Sequence, residues 1–312
     1  MTGVGARYAR PAPASASQAT MKIRDALDRY LTQITADGRS EHTAGQYRRH
    51  ITLLAAWLAG RHHTGNVEEI DHETLAQFLA SPAARERPDG KTKRATSTNA
   101  LRTSLRTFFR FAYDAGYCRS NPARLIRRAL CGSPPPRALS DEEAGRLLLA
   151  LSKGTGPEAK RDHALFALML GSGIRLGSAL ALELGDVDLE RGELQLRRTK
   201  GDVPTTVPLA RAVRNHLRGY MDGRADGSLF PGRNGAAMCA RHVQRRLALW
   251  CRRAGIERHV KPHDLRHSFA IRLYRQTRDL LLVQQALRHR SIASTTVYAQ
   301  CDEGRLREVL AT

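Results

Sequence analysis

Residues 263–267 of this 312-residue chain read His-Asp-Leu-Arg-His, within a stretch of helical apolar spacing from about 263 to 276. His263 and Arg266 are three positions apart, so a helix places both on one face. An imidazole beside a guanidinium suits a phosphate site, because histidine titrates near neutral pH and arginine stays charged. The chain contains 51 lysines and arginines and 12 histidines, so this pair alone decides little. Its meaning depends on the groups around it.

Four further groups flank the pair, two before it and two after it: Arg175, Lys200, His289 and Tyr298. Together the six supply what the cleavage of a phosphodiester without a metal requires. Arg175 and Arg266 can clamp the non-bridging oxygens with forked hydrogen bonds while negative charge builds on them. Tyr298 can attack the phosphorus once a base such as His263 helps to remove its proton. This order predicts a transesterification site.

The remaining two groups fit the second half of the same reaction. Lys200 lies beside Gly201 in a predicted turn between two strands, where its ammonium can protonate the 5′ oxygen as it leaves. His289 can hold an oxygen by a hydrogen bond. We therefore predict that Tyr298 is the nucleophile and that the other five residues are catalytic.

The composition points to a polyanionic partner. The formal net charge is +21, and cations that neutralise phosphates release condensed counterions. No apolar run is long enough to span a bilayer, and no segment resembles a signal peptide, so we expect a cytoplasmic, nucleoid-associated protein with no membrane partner. The five cysteines are scattered and odd in number, which argues against a disulfide framework or a zinc site.

The chain is expected to fold as two domains behind a disordered tail, residues 1–20, which are rich in Ala, Pro, Ser and Gly. Residues 21–130 show helical spacing throughout, including a strong helix from about Ser97 to Ala115 and a short one opened by Asn121-Pro122 and reaching Leu130. A proline-rich linker covers 131–137. Residues 138–312 begin with helices, starting at a capping box from Ser140.

Between about Val187 and Leu209 the apolar period shortens to two, which predicts about three antiparallel strands. Helical spacing then resumes and continues to the C-terminus. We therefore predict a mainly α protein with a small antiparallel β-sheet, composed of a helical domain and an α+β domain.

The six groups, in this order, resemble the tyrosine recombinase (phage integrase) family, and the resemblance covers residues 21–312. It implies a helical SAM-like core-binding domain over 21–130, a catalytic domain over 138–312, and cleavage of DNA through a 3′-phosphotyrosine with no cofactor and no metal. It also implies double-stranded DNA with inverted half-sites as partner and a homotetramer acting on two DNA sites. With about twenty residues before the first helix, we expect a simple Xer-like enzyme without an arm-binding domain. The C-terminal helix, near residues 303–312, is expected to dock in the chain's own catalytic domain or in a neighbouring subunit.

Two positions depart from the family pattern. Ser178 stands where the family usually has an acidic residue, and Arg288 stands where a glycine commonly precedes the second histidine. Neither change removes a reacting group, so we expect activity.

A basic segment in the first domain supplies candidate DNA contacts: Arg85, Arg87, Lys91, Lys93, Arg94, Arg102 and Arg106. Contacts of this kind position a protein on the phosphate backbone without reading sequence. A solvated basic loop is the alternative interpretation of the same residues.

Two other functions use the same features. A type IB topoisomerase has related chemistry but relaxes supercoils, and a DNA-binding accessory factor could have lost catalysis. The separate helical domain and the segment after Tyr298 favour the recombinase over the topoisomerase, and the retention of all six groups argues against the accessory factor.

Overall fold

The computed structural model describes residues 21–132, 136–197, 205–224, 226–232, 235–288, 292 and 295–299. The chain divides into two compact units, Met1–Ser133 and Pro134–Thr312. The expectations for the N-terminal tail, for Lys200, for His289 and for the helix after Tyr298 fall outside the described residues.

The first unit is helical. Its helices are α1 (Ile23–Ala36), α2 (Glu41–Ala59), α3 (His72–Ala80), α4 (Pro82–Arg85) and α5 (Ala95–Asp114). They enclose a core to which α1 contributes one buried stripe and α5 the ring pair Phe108 and Phe109. Asp71 is the N-cap residue of α3 and accepts the Thr74 N–H at 2.8 Å.

The predicted helix from Asn121 to Leu130 is wrong. Residues 122–125 form turns, and the chain then continues without regular structure. The reason lies on α5, where the buried Asn99 amide binds the backbone of Ala129. Asn99 Nδ2 donates to the Ala129 carbonyl at 2.9 Å, and Asn99 Oδ1 accepts the Ala129 N–H at 2.8 Å. The side chain satisfies the backbone groups that a helix would otherwise pair.

The second unit carries the remaining helices: α6 (Asp141–Ser152), α7 (Pro157–Ser172), α8 (Leu176–Leu180), α9 (Arg211–Met221), α10 (Ala240–Arg253), α11 (Pro262–Thr277), α12 (Leu280–Leu287) and α13 (Thr296–Ala299). The predicted capping box opens α6, since Ser140 and Glu143 each bond the other's backbone N–H. Helix α7 is buried along nearly its whole length, and α6, α9 and α11 pack around it. A helix that is apolar on most sides is a central core element.

A small sheet lies in the second unit, with strands β1 (Val187–Asp188), β2 (Glu193–Leu196) and β3 (Thr205–Pro208) in the order β1-β2-β3. Both strand pairs are antiparallel, and Leu194 of β2 is opposite Val207 of β3. Leu194 and Leu196 are buried while Glu193 and Gln195 are exposed, so one face packs on the core. The predicted fold class, mainly α with a small antiparallel sheet, is confirmed.

Candidate active site

Arg175 is placed by a glycine turn at the end of α7. Gly173 has a φ of +62°, and a Cβ there would lie 2.4 Å from the Phe269 ring, so only glycine fits. Ile174 is then buried, and Arg175 stands as the N-cap residue of α8 with its side chain exposed. Among the described residues, the Arg175 side chain has no hydrogen-bond or ion-pair partner. Its guanidinium is therefore available to an incoming anion.

The start of α11 places His263 and Arg266. Pro262 occupies the first turn, where its missing N–H costs nothing, and the Asp264 carboxylate accepts the Lys261 N–H at 2.8 Å. His263 is exposed at this end of the helix, whereas Arg266, one turn further, is only 3% exposed.

The two helix starts meet at a pocket of about 200 Å³. Its lining contains Arg175, His263 and Arg266. It also contains Gln244, Lys261, Met169, Ile174, Leu176 and Pro262. Three of the six predicted catalytic residues thus share one pocket. Gln244 and Lys261 were not predicted, although Lys261 lies two positions before His263 and could have been suspected for that reason.

Arg266 is anchored from both ends of its guanidinium. One terminal nitrogen donates to the Gly173 carbonyl at 2.5 Å, and the other donates to the Leu287 carbonyl at 2.6 Å. Its Nε is buried and has no hydrogen-bond partner in the described structure. Burial lowers the pKa of Arg266 to about 10, and Arg175 adds to this by repulsion. Arg266 therefore remains charged at neutral pH, in a fixed orientation.

His263 has a lowered pKa. Partial desolvation is the main cause, and the neighbouring charge of Arg266 acts in the same direction, with a smaller effect from Arg175. The adjacent Asp264 opposes the shift. At neutral pH the ring is therefore in its neutral form, which can accept a proton.

Tyr298 lies on α13 and is 2% exposed. Its ring belongs to a small apolar cluster with Ala270, Ile271, Val283 and Leu287. Its hydroxyl forms a 2.9 Å hydrogen bond with Nδ1 of His267. The described residues that line the pocket do not include Tyr298. The predicted nucleophile thus lies beside α11 but outside the pocket.

His267 is a further residue that sequence reasoning missed. Its ring stacks edge-on against His263 at a centroid distance of 4.5 Å, and burial lowers its pKa to about 4, with a further contribution from His263. The available signal was its position four residues after His263, which puts both rings on one helix face. Its contact with Tyr298 spans 31 positions of sequence, and no local pattern carries that information.

Both departures from the family pattern lie near this region. Arg288 ends α12 with a φ of +53°, a conformation that favours glycine, and its side chain donates to the Thr206 carbonyl on β3. Ser178 lies on α8, one turn after Arg175. In the described part of the chain, no cluster of three or more His, Cys, Asp or Glu side chains could hold a metal ion. Within the same residues, no helix is long and apolar enough to cross a membrane.

The basic segment of the first unit is partly ordered by its own contacts. Lys93 donates its ammonium to the carbonyls of Ala83 and Ala84, at 3.0 and 3.1 Å, near the end of α4. Arg87 forms a 2.7 Å ion pair with Asp89. Arg102 is half-buried on α5 and donates to Thr98 and Asn99 of its own helix.

The other members of this segment point to solvent. Arg85, Lys91, Arg94 and Arg106 are exposed. Arg85, Lys93 and Arg102 line one pocket of about 210 Å³. Arg87 is exposed as well, so the seven residues comprise five exposed charges and two half-buried ones, Lys93 and Arg102, that bind the protein's own carbonyls or helix side chains.

Comparison with known proteins gives a consistent result along the chain. Residues 137–305 match the phage integrase family, and residues 27–116 match the phage integrase N-terminal SAM-like domain. The chain is 33% identical over 282 residues to tyrosine recombinase XerC of Neisseria meningitidis serogroup C, covering 88% of this chain and 90% of the relative. It is 32% identical over 311 residues to tyrosine recombinase XerD of Ralstonia nicotianae, covering 96% and 95%.

Solved structures share the fold. The XerH site-specific recombinase bound to a palindromic difH substrate matches with a TM-score of 0.72 and 21% identity, over 91% of this chain and 83% of that one. A lambda integrase dimer bound to a COC′ core site, residues 75–356, matches with a TM-score of 0.66 and 20% identity, over 87% and 96%. Because family matches cover both units and relatives above 30% identity cover most of the chain, this protein belongs to the phage integrase family and is a tyrosine site-specific recombinase.

Proposed function

We propose that this recombinase cleaves and rejoins double-stranded DNA through a covalent link to Tyr298, with the phosphate bound in the pocket of Arg175, His263 and Arg266. The observation that carries the proposal is the meeting of these three side chains in one pocket of about 200 Å³, with Tyr298 on the adjoining face of α11. Two guanidiniums and a neutral imidazole are the groups that a phosphodiester needs as its charge builds.

In the first step the Tyr298 oxygen forms a bond to phosphorus as the bond to the 5′ oxygen breaks. The phenolic proton passes to His263, whose lowered pKa keeps its ring neutral and able to accept it. Lys200 protonates the leaving 5′ oxygen, and His289 hydrogen-bonds a phosphate oxygen. Arg175 and Arg266 stabilise the transition state.

In the second step a 5′-hydroxyl attacks the phosphotyrosine. The new phosphodiester bond forms as the bond to Tyr298 breaks, and the proton transfers run in reverse. One ester replaces another in each step, so the reaction needs no nucleotide and no redox partner to supply energy.

We assign core binding of DNA to the first unit, over residues 21–130, and catalysis to the second, over 138–312. In the first unit we place phosphate contacts on Arg85, Lys91, Arg94 and Arg106, whose charges are exposed, with Arg87, Lys93 and Arg102 beside them. The net charge of +21 supports a polyanionic partner.

For assembly we propose inverted half-sites and a homotetramer on two DNA sites. Solved structures of this fold include a recombinase on a palindromic substrate and a lambda integrase tetramer on a Holliday junction. The expected place of action is the nucleoid in the cytoplasm, where such DNA is found.

The test is a suicide substrate, a DNA site nicked so that the cleaved end is lost and the covalent complex accumulates. Wild-type protein should give a complex that resists detergent, and Tyr298→Phe should bind DNA but give none. Tyr274→Phe is the matched control, since Tyr274 packs on the same apolar cluster, and it should react like the wild type. A covalent complex with Tyr298→Phe would refute the assignment.

A further inference from the structure

We propose that His267 is a positioning residue that holds the Tyr298 hydroxyl outside the phosphate pocket until DNA is bound. The proposal rests on the proposed function in so far as Tyr298 is the nucleophile. We call the hydrogen bond between His267 and the resting Tyr298 hydroxyl the hold. It is a property of the DNA-free chain and can be measured without any reaction.

The first argument is the burial of the hydroxyl's surroundings. Tyr298 is 2% exposed, and Arg266 is 3% exposed with both terminal nitrogens bound to backbone carbonyls. A phosphate that enters the pocket from solvent meets Arg175 and His263, which are exposed. The described lining of the pocket includes Arg266 but not Tyr298, so the phenol must move toward the pocket before it can reach phosphorus.

The second argument is the identity of the hydroxyl's partner. The 2.9 Å contact is made to Nδ1 of His267, which sequence reasoning did not assign to catalysis, whereas His263 faces the pocket. The two rings lie edge-on on one face of α11, with their centroids 4.5 Å apart. They have different neighbours and can therefore have different roles. His263 is placed to meet the phosphate, and His267 is placed to meet the resting phenol.

The third argument is charge. The groups that act on His267 are His263, Asp264 and Arg266 of its own helix and the Tyr298 hydroxyl from α13. Burial keeps its ring neutral, and a neutral ring offers one nitrogen that accepts and one that donates. The contact is therefore a hydrogen bond between the phenol and an uncharged imidazole. A neutral bond can be released when the phenol moves toward the pocket, whereas a salt bridge would oppose that movement.

The expected size of the effect follows from the net strength of such a bond. A neutral hydrogen bond contributes about 0.5 to 1.5 kcal/mol. Its loss should therefore raise, by roughly 2- to 10-fold, the population in which the Tyr298 hydroxyl has left His267 and is accessible to solvent. The apolar cluster around the Tyr298 ring remains, so removal of the bond loosens α13 without unfolding the unit.

The test measures the accessibility of Tyr298 in the DNA-free full chain. His267→Leu removes the hydrogen bond at similar side-chain size, and His267→Asn retains a polar group near the position of Nδ1. Nitration by tetranitromethane, mapped on peptides, should be roughly 2- to 10-fold faster at Tyr298 in His267→Leu than in the wild type. His267→Asn should stay close to the wild type. Tyr30, which is 5% exposed, and Tyr113, at 36%, serve as the protected and the reactive internal standards.

A double-mutant cycle separates the bond from a general effect of the substitution on the fold. Amide hydrogen exchange of residues 297–299 should speed up in His267→Leu and in Tyr298→Phe, because each removes one partner. In the double variant the His267→Leu change should add nothing further. Additive effects in this cycle would overturn the proposal, as would unchanged nitration of Tyr298 in His267→Leu.

Covalent complex formation distinguishes the hold from a direct chemical role. His267→Leu should form the complex on a suicide substrate at the wild-type rate or up to roughly 10-fold faster. A rate more than roughly 10-fold slower, with Tyr30 still protected from nitration, would make His267 a participant in the chemistry and overturn the proposal. If no variant, including the wild type, forms a complex, the proposed function fails, while the nitration and exchange results still decide the hold.

Discussion

The phosphate pocket and the cluster around Tyr298 lie on neighbouring faces of α11, yet they differ in exposure. Arg175 and His263 are exposed and line the pocket, whereas Tyr298 is enclosed by apolar side chains and hydrogen-bonded to His267. The half of the site proposed to bind the phosphate is exposed, and the half with the proposed nucleophile is buried. With the proposed roles, the chain binds a phosphate before Tyr298 can attack it, and we expect cleavage to require a movement of α13.

Arg266 contacts both halves, so among the predicted catalytic cations its removal is expected to have the largest effect. Its guanidinium lines the pocket and is bound to the carbonyl at the end of α12. Arg266→Ala should slow cleavage by about 10³-fold, because the loss of one preorganised donor to a developing negative charge costs about 3 to 4 kcal/mol. Single-turnover cleavage of a suicide substrate measures this rate. Arg275→Ala, on the exposed side of the same helix, is the control, and equal rates in the two variants would remove Arg266 from the reaction.

Lys200 tests whether the leaving group is protonated independently of the nucleophile. Lys200→Ala should slow cleavage by about 10²-fold, which is the usual range for the loss of a general acid. A DNA in which sulfur replaces the 5′ bridging oxygen has a leaving group that needs no proton, so it should restore the rate. The same DNA should leave Tyr298→Phe inactive. A Lys200→Ala rate that sulfur fails to restore would contradict the general-acid role.

The folding stability contributed by His267, beside Tyr298, should decrease at acid pH. The pKa of His267 is lowered to about 4 in the folded chain, against an ordinary value near 6.5, so the unfolded state binds the proton more readily. The stabilisation is complete above about pH 6.5 and is lost as the pH falls towards 4. Because the ring is only half-buried and solvent screens part of the effect, the expected loss is about 1 to 3 kcal/mol. Other groups titrate in this range, so the relevant quantity is the difference between wild type and His267→Asn. It is measured by urea unfolding, followed through Trp250 in a Trp57→Phe background. An equal loss of stability in the two proteins would show that His267 does not titrate as described.

The first unit offers a similar comparison between an exposed lysine, Lys91, and a lysine that binds the protein's own carbonyls, Lys93. The expected effects of substitution are smaller. Lys93→Met should destabilise that unit by about 2 kcal/mol, because the ammonium donates to two carbonyls near the end of α4. Lys91→Met, on an exposed side chain, should change stability by less than about 0.5 kcal/mol. DNA affinity should show the reverse order. Lys91→Met should weaken binding more than Lys93→Met and should reduce the salt dependence of the affinity. Similar stability in both variants would mean that the Lys93 contacts contribute little.

Much of this architecture could be predicted because its signals are local. The stripe of α1, the capping box of α6, the alternation of β2 and the spacing of His263 and Arg266 all report on neighbours within a few positions. The stretch after Asn121 could not be predicted, because the deciding contact comes from Asn99 on another helix. The hold on Tyr298 escaped for the same reason: His267 lies in the most informative stretch of the sequence, but its partner is 31 positions away.

The grouping of three predicted residues in one pocket was more predictable than the exposure of each residue. Arg175, His263 and Arg266 were expected to act together, and they line one pocket. The order of these residue types along the chain indicates a phosphate site. The exposure of each group depends on how α11, α12 and α13 pack. Whether the nucleophile rests inside or outside the pocket is a property of that packing.

The assignment of Tyr298 as the covalent residue is tested most directly by mapping the adduct. Protein trapped on a suicide substrate is digested with nuclease and trypsin, and the peptides are identified by mass. Cleavage after Arg290 and Arg305 releases residues 291–305, in which Tyr298 is the sole tyrosine. The account predicts the nucleotide adduct on this peptide, at Tyr298, in the wild type and in His267→Asn. An adduct on any other tyrosine, or on a serine or cysteine, would contradict it.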